Sequence, residues 1–148
     1  MQSALTVAHY IDPAIFEREQ RTVFRRLWLF AGMRSALADP NAFITRSIGG
    51  LPVLLQNCDG QIRAFANQCP HRLMPIQSEP FGQARMVCPY HGWTFDHDGA
   101  VKAIPSEARL YQYDDAERQS LCLPRYAVEE VGDLVFVNLA SEPMPIEQ

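Results

Sequence analysis

No stretch of this sequence approaches the ~20 consecutive apolar residues that a bilayer-spanning helix needs. The N-terminus also lacks a basic segment followed by an apolar run and a small-residue cleavage site, so neither a membrane partner nor an export leader is expected. A cytoplasmic protein is the simplest reading. There is no excess of positive charge: 13 Lys and Arg stand against 17 Asp and Glu, for a formal net charge of -4 at pH 7. The basic residues are scattered except for Arg21, Arg25 and Arg26, which fall inside a helical pattern and read as a solvated helix face. Nucleic acid is therefore not an expected partner. Cysteine and histidine are scarce, at four each. An even number of cysteines could mean two disulfides in an exported chain, but Cys69 and Cys88 are interleaved with histidines, which metal binding explains better. Cys58 and Cys122 read as free thiols.

What is present suits one globular unit over residues 1–148, since 47% of residues are hydrophobic and 20% charged, enough for a real core. Asp12 and Pro13 read as the N-cap and first position of a helix, because proline lacks only an N–H that would be unpaired there. Phe16, Gln20, Val23, Phe24 and Leu27 continue it at helical spacing, and the helix is expected to span about 13–30, ending before Gly32. After Asp39-Pro40-Asn41 the pattern turns to short β runs from Phe43 onward. Residues 52–57 and 62–66 flank an Asp59-Gly60 hairpin turn, and Tyr126–Val131 and Leu134–Leu139 flank Gly132-Asp133. A further strand pair is expected from 84–88 and 93–96, followed by a turn at Asp98-Gly99. Residues 105–119 show no clear period and read as a long connection with room for a helical turn, and 141–148 as a proline-bearing linker. The fold class is thus mostly β with an N-terminal helix.

Two short segments carry the chemistry: Cys69-Pro70-His71-Arg72 and Cys88-Pro89-Tyr90-His91-Gly92-Trp93. Each supplies one thiolate and one imidazole, and each lies in a tight loop, with the two loops falling within about residues 67–93. A zinc finger instead takes a cysteine pair from one turn and a histidine pair from a helix. Alternation suits a binuclear iron–sulfur cluster gripped between two loops. Two thiolates suit an iron that stays ferric, and two neutral imidazoles on the other leave less negative charge to oppose an added electron. Prolines after both cysteines, and a glycine after His91, would stiffen the loops and let backbone amides approach the sulfurs.

These two segments resemble the Rieske [2Fe–2S] signature. The resemblance implies that Cys69 and Cys88 ligate one iron and His71 and His91 the other, with the imidazoles nearest the surface. Tyr10-Ile-Asp-Pro, Leu27-Trp-Leu-Phe30, Ile62-Arg-Ala-Phe-Ala-Asn67, residues 93–99 and residues 132–138 extend the likeness to the N-terminal region of ring-hydroxylating oxygenase α subunits. Respiratory Rieske proteins add a cysteine to each loop and a serine after the second His-Gly, whereas position 93 here is Trp. Without that hydroxyl donor, the potential is expected toward the low end of the roughly −150 to +300 mV Rieske range.

The family implies electron transfer, with a flavin reductase or ferredoxin as donor and an oxygenase catalytic domain or subunit as acceptor. That domain holds a mononuclear iron on two histidines and a carboxylate. Here only His9 and His97 remain after the cluster ligands, they are far apart, and both read as surface histidines, so hydroxylation by these residues alone is not expected. Two alternatives stand beside this reading: a self-contained Rieske ferredoxin, against which the N-terminal helix argues, and a zinc-stabilised interaction module. Tyr90 and Trp93 read either as residues shielding the cluster or as ordinary aromatic filling, and Arg72 as a solvated arginine.

Overall fold

The structure, a computed structural model, describes residues 5–146. A short helix, α1 (Ala8–Ile11), leads into α2 (Pro13–Glu19), whose N-cap Asp12 accepts a hydrogen bond from the Ala14 amide with Pro13 in the first turn. The sequence-based helix over 13–30 is corrected at its far end. The chain loosens into a π-helical turn at Gln20–Phe24, closed by the Arg25 amide on the Gln20 carbonyl. Residues Leu29–Met33 are then a strand, β1, so the β region also begins earlier than Phe43. A short apolar run such as Leu27–Phe30 fits either period, and only its strand partner settles the matter. Gly32 belongs to that strand, because a Cβ there would lie 2.8 Å from Ile44 Cδ1.

Beyond a 3-10 turn at Arg34–Leu37, β2 (Ala42–Ile48), β3 (Leu51–Cys58) and β4 (Gln61–Ala66) form an antiparallel meander. The Asp59-Gly60 turn has positive φ at both residues, as expected of a tight hairpin. The anticipated strand at 84–88 is not formed. Instead β5 (Phe81–Gln83) pairs with β2, and β6 (Thr94–Phe95) pairs with β7 (Val101–Ala103) across the Gly99 turn. Of the anticipated 84–88 and 93–96 pairing an isolated Val87–Thr94 bridge remains, made by the Cys88 amide on the Trp93 carbonyl and the Phe95 amide on the Met86 carbonyl, while Ala84 is bonded instead to Asn41 and Gln56. The supposed connection at 105–119 folds into α3 (Glu107–Leu110) and α4 (Asp115–Ser120), the latter with an Asp114/Glu117 capping box. The final hairpin, β8 (Arg125–Val131) and β9 (Leu134–Asn138), forms as anticipated. The anticipated linker is tied back to the segment before β1, with the Trp28 indole donating to the Met144 carbonyl at 2.7 Å; residues 147 and 148 lie outside the described residues.

Seven strands make one antiparallel sheet in the order β1-β9-β8-β4-β3-β2-β5, with β6-β7 as a separate pair. Both faces of the central strands are buried, so β3 reads as an apolar run and not as an alternation. Val53 and Leu55 face one core with Ile44, Ile62, Val135 and Val137. Leu54 and Cys58 face the other with Phe43, Phe65, Trp93, Phe95 and Leu123, and this second core also contains Cys69 and Cys88. The chemistry-bearing loops therefore stand on the main sheet itself. Arg25 is not the solvated residue expected, since its Nε donates to the Gly49 carbonyl at 2.8 Å and ties the helical segment to the β2–β3 turn.

Cys58 gives this second core a pH dependence. Burial pushes its thiol up from 9.0 to about 11, with the Arg63 guanidinium pulling the other way. The folded chain holds a proton there that the unfolded chain begins to release near pH 9, so this stabilisation is complete below pH 9 and lost as pH rises through 11. Cys58→Ala is expected to flatten the alkaline fall in stability by about 2–3 kcal/mol. Urea midpoints taken either side of pH 9 in both proteins check this; equal slopes would remove Cys58 from the account.

Candidate metal centre

The two loops close in the same way. In the first, the Cys69 amide donates to the Met74 carbonyl and the Leu73 amide donates back to the Cys69 carbonyl, both at 2.8 Å. In the second, the Cys88 amide donates to the Trp93 carbonyl at 2.8 Å and the Gly92 amide to the Cys88 carbonyl at 3.0 Å. Each loop needs a left-handed residue four positions after its cysteine: Gly92 at φ 70 and, against steric preference, Leu73 at φ 56. The sequence offers Gly92 as a signal for this bend, but nothing marks Leu73.

The closure brings like donors together. Cys69 and Cys88, at 1% and 2% exposure, lie in the same buried cluster, near enough for the Cys88 thiol to act on that of Cys69. The His71 and His91 rings, both half-buried, meet at 4.7 Å between centroids and a tilt of 59°. Burial pushes the Cys69 thiol up to about 11, against the lowering effect of hydrogen bonds from the His71 and Arg72 backbone amides. His71 is lowered from 6.5 by burial, then by His91 and Arg72, which favours the neutral imidazole a metal requires. Binding a metal must displace the thiol protons, so it is coupled to proton release. Thiol beside thiol and imidazole beside imidazole is a donor set that fits two irons with two protein ligands each.

The surroundings extend this set. Trp93, 1% exposed, lies flat on His71 at 4.8 Å with 1° between planes, and Tyr90 stacks on His91 at 3.9 Å and 29°. Both aromatic residues thus lie directly against the paired histidines. Arg72 is exposed, as anticipated. His9 Nδ1 accepts from the Thr6 amide, and His97 Nδ1 lies 2.9 Å from Asp59. Cys58 is a buried free thiol, and Cys122 is free but exposed.

Two residues that hold the loops were not singled out from sequence. Asn67, at 5% exposure, accepts from the Ile76 and Gln77 amides at 3.0 Å and donates to the Gln77 carbonyl, pinning the end of the first loop. Gln56, buried on β3, donates to the Asn41 and Ala84 carbonyls, fastening the chain that leads into the second loop. A polar residue in an otherwise apolar strand was the available signal for Gln56. Asn67→Ala is expected to cost about 2–4 kcal/mol, since two inward-facing amides lose their acceptor. Urea denaturation checks the cost, and amide exchange at Ile76 and Gln77 should accelerate; unchanged protection there would mean that other acceptors take over.

Antiparallel sheet, paired loops and a two-thiol, two-imidazole donor set define a Rieske-type centre, and the chain belongs to the Rieske [2Fe-2S] domain family, whose sequence model matches residues 27–114. Members of this family bind the cluster through two cysteines and two histidines. Over 140 residues the chain is 34% identical to the glycine betaine monooxygenase oxygenase subunit of Pseudomonas aeruginosa, covering 93% of this chain and 32% of that protein. It is 40% identical over 115 residues to the large oxygenase component of a naphthalene 1,2-dioxygenase system, also from Pseudomonas aeruginosa, covering 74% and 25%. The crystal structure of the quaternary ammonium Rieske monooxygenase CntA with L-carnitine superposes with a TM-score of 0.82 at 30% identity, over 93% of this chain and 39% of that one. The chain therefore spans about a third of the length of the oxygenase subunits it matches.

Proposed function

We propose that Cys69 and Cys88 ligate one iron of a [2Fe–2S] cluster and His71 and His91 the other, and that residues 1–148 act as a one-electron carrier, the Rieske unit of an oxygenase α subunit. The observation that carries this reading is the pairing of the two thiols and of the two imidazoles across loops closed by the same hydrogen bonds. A cluster bound there would supply reversible one-electron chemistry. The protein's own part is to keep the sulfurs away from water, to donate amides to Cys69, and to hold the histidines at the less buried end, where an electron can leave. The expected donor is a flavin reductase or a ferredoxin, and the expected acceptor an oxygenase catalytic domain or subunit. The N-terminal helices and β1 support the α-subunit form over a short ferredoxin, because both are built into the unit: Arg25 bonds to the β2–β3 turn and β1 pairs with β9.

Anaerobic purification followed by iron and acid-labile sulfide assays tests the reading. Two irons and two sulfides per chain are expected, together with the low average g of a nitrogen-ligated cluster in the electron paramagnetic resonance spectrum after dithionite reduction. Zinc without sulfide would overturn it and make the chain a metal-stabilised interaction module.

A further inference from the structure

We propose that Tyr111 is a positioning residue for His71, and that the α3–α4 excursion exists to press its ring against that ligand and keep water from the cluster. The proposal rests on the cluster reading above. His71 and Trp93 form one parallel stack, and Tyr111 stands across it: its ring is at 86° to both, 5.7 Å from each centroid. Tyr113 lies parallel to Tyr111 at 5.3 Å and 10°, and meets Trp93 edge-on at 6.3 Å. Two crossed stacks therefore fix the plane of His71 before any metal arrives. His91 is held differently, with the 55% exposed Tyr90 on its face. Both imidazoles are half-buried, but His71 has two aromatic rings against it, Trp93 and Tyr111, where His91 has the single solvent-facing ring of Tyr90.

The excursion that delivers Tyr111 is anchored by contacts of its own. Arg118 on α4 pairs with Glu107 on α3 at 2.8 Å and reaches the Val101 and Lys102 carbonyls of β7. Tyr111 follows directly on α3, its amide bonded to the Glu107 carbonyl. A chain of contacts thus runs from β7 through Arg118 and α3 to Tyr111 and so to the ligand. Aromatic rings in crossed contact add specific attraction to the area they bury, and contacts behind a metal-binding histidine orient it and set the polarity around the centre.

The direction of the effect follows from charge. A cluster with two thiolates and two neutral imidazoles gains one negative charge on reduction, and water stabilises the more highly charged form. Excluding water lowers the potential, and admitting it raises the potential. In chain with its cluster assembled, confirmed by iron and sulfide content, Tyr111→Ala is expected to shift the midpoint potential to a more positive value and to alter the spread of g values. Tyr111→Phe keeps the ring and should reproduce the parent in both. Arg118→Ala, which loosens the excursion without touching a ring, should shift the potential in the same direction by less.

A purely structural role would lower the melting temperature of Tyr111→Ala and leave its potential and spectrum unchanged, and that result would overturn the proposal. If Tyr111→Ala does not fold, Arg118→Ala decides: a positive shift supports the positioning role, and an unchanged potential removes it. Parent chain without iron and sulfide would instead defeat the ligand assignment itself, a failure distinct from a loaded chain whose potential ignores Tyr111.

Discussion

Cys69→Ser and His91→Ala are each expected to leave the chain without a stably bound cluster, with iron, sulfide and visible absorbance falling to background. Each change removes one of the four ligands proposed for the cluster. A serine hydroxyl is a poor donor to iron, and it would have to be ionised at a position where burial already raises even a thiol to about 11. The two rings against His91 offer no replacement, because Tyr90 presents a ring face and His71 is stacked on Trp93. Cys58→Ser serves as the control. Cys58 also belongs to the second core, at 3% exposure, yet it lies on β3 and contributes to neither loop, so its loss should leave iron and sulfide at parent levels. Retention of the full cluster in Cys69→Ser or His91→Ala would refute the assignment outright.

The second large effect is expected in the support beneath the loops. Phe65, fully buried on β4, faces the core that contains both Cys69 and Cys88. The Gly99 turn between β6 and β7 lies directly on its ring: a Cβ on Gly99 would fall 2.9 Å from Phe65 Cε1 and 3.0 Å from the Leu123 carbonyl, at a φ of 84 that side chains disfavour. Phe65→Ala is therefore expected to cost about 3–5 kcal/mol, the range for deleting a buried aromatic ring that its surroundings cannot replace. Because β6 begins one residue after Trp93, the cavity would also loosen the second loop, and the cluster should be lost faster on dilution. Urea midpoints give the first quantity and the decay of visible absorbance the second. A cost under about 1 kcal/mol would mean that the turn collapses onto the sheet and that Phe65 does not support the loop.

Local rules in the sequence already fixed much of this protein. Asp12-Pro13, Asp59-Gly60 and Gly132-Asp133 mark a helix start and two hairpins because capping and positive φ act within a few residues. The four donors and their alternation are legible for the same reason, since each cysteine and histidine pair shares one tight loop. What tertiary structure decided is everything that depends on a distant partner. Leu29–Met33 became a strand because β9 pairs with it, and 84–88 did not because Ala84 is bonded to Asn41 and Gln56 instead. Residues 105–119, periodless in sequence, fold back so that Tyr111 meets His71, forty positions away. The like-with-like pairing of thiols and imidazoles also belongs to the assembled sheet, because no single loop contains two donors of one kind and only packing on a common face brings the two loops together.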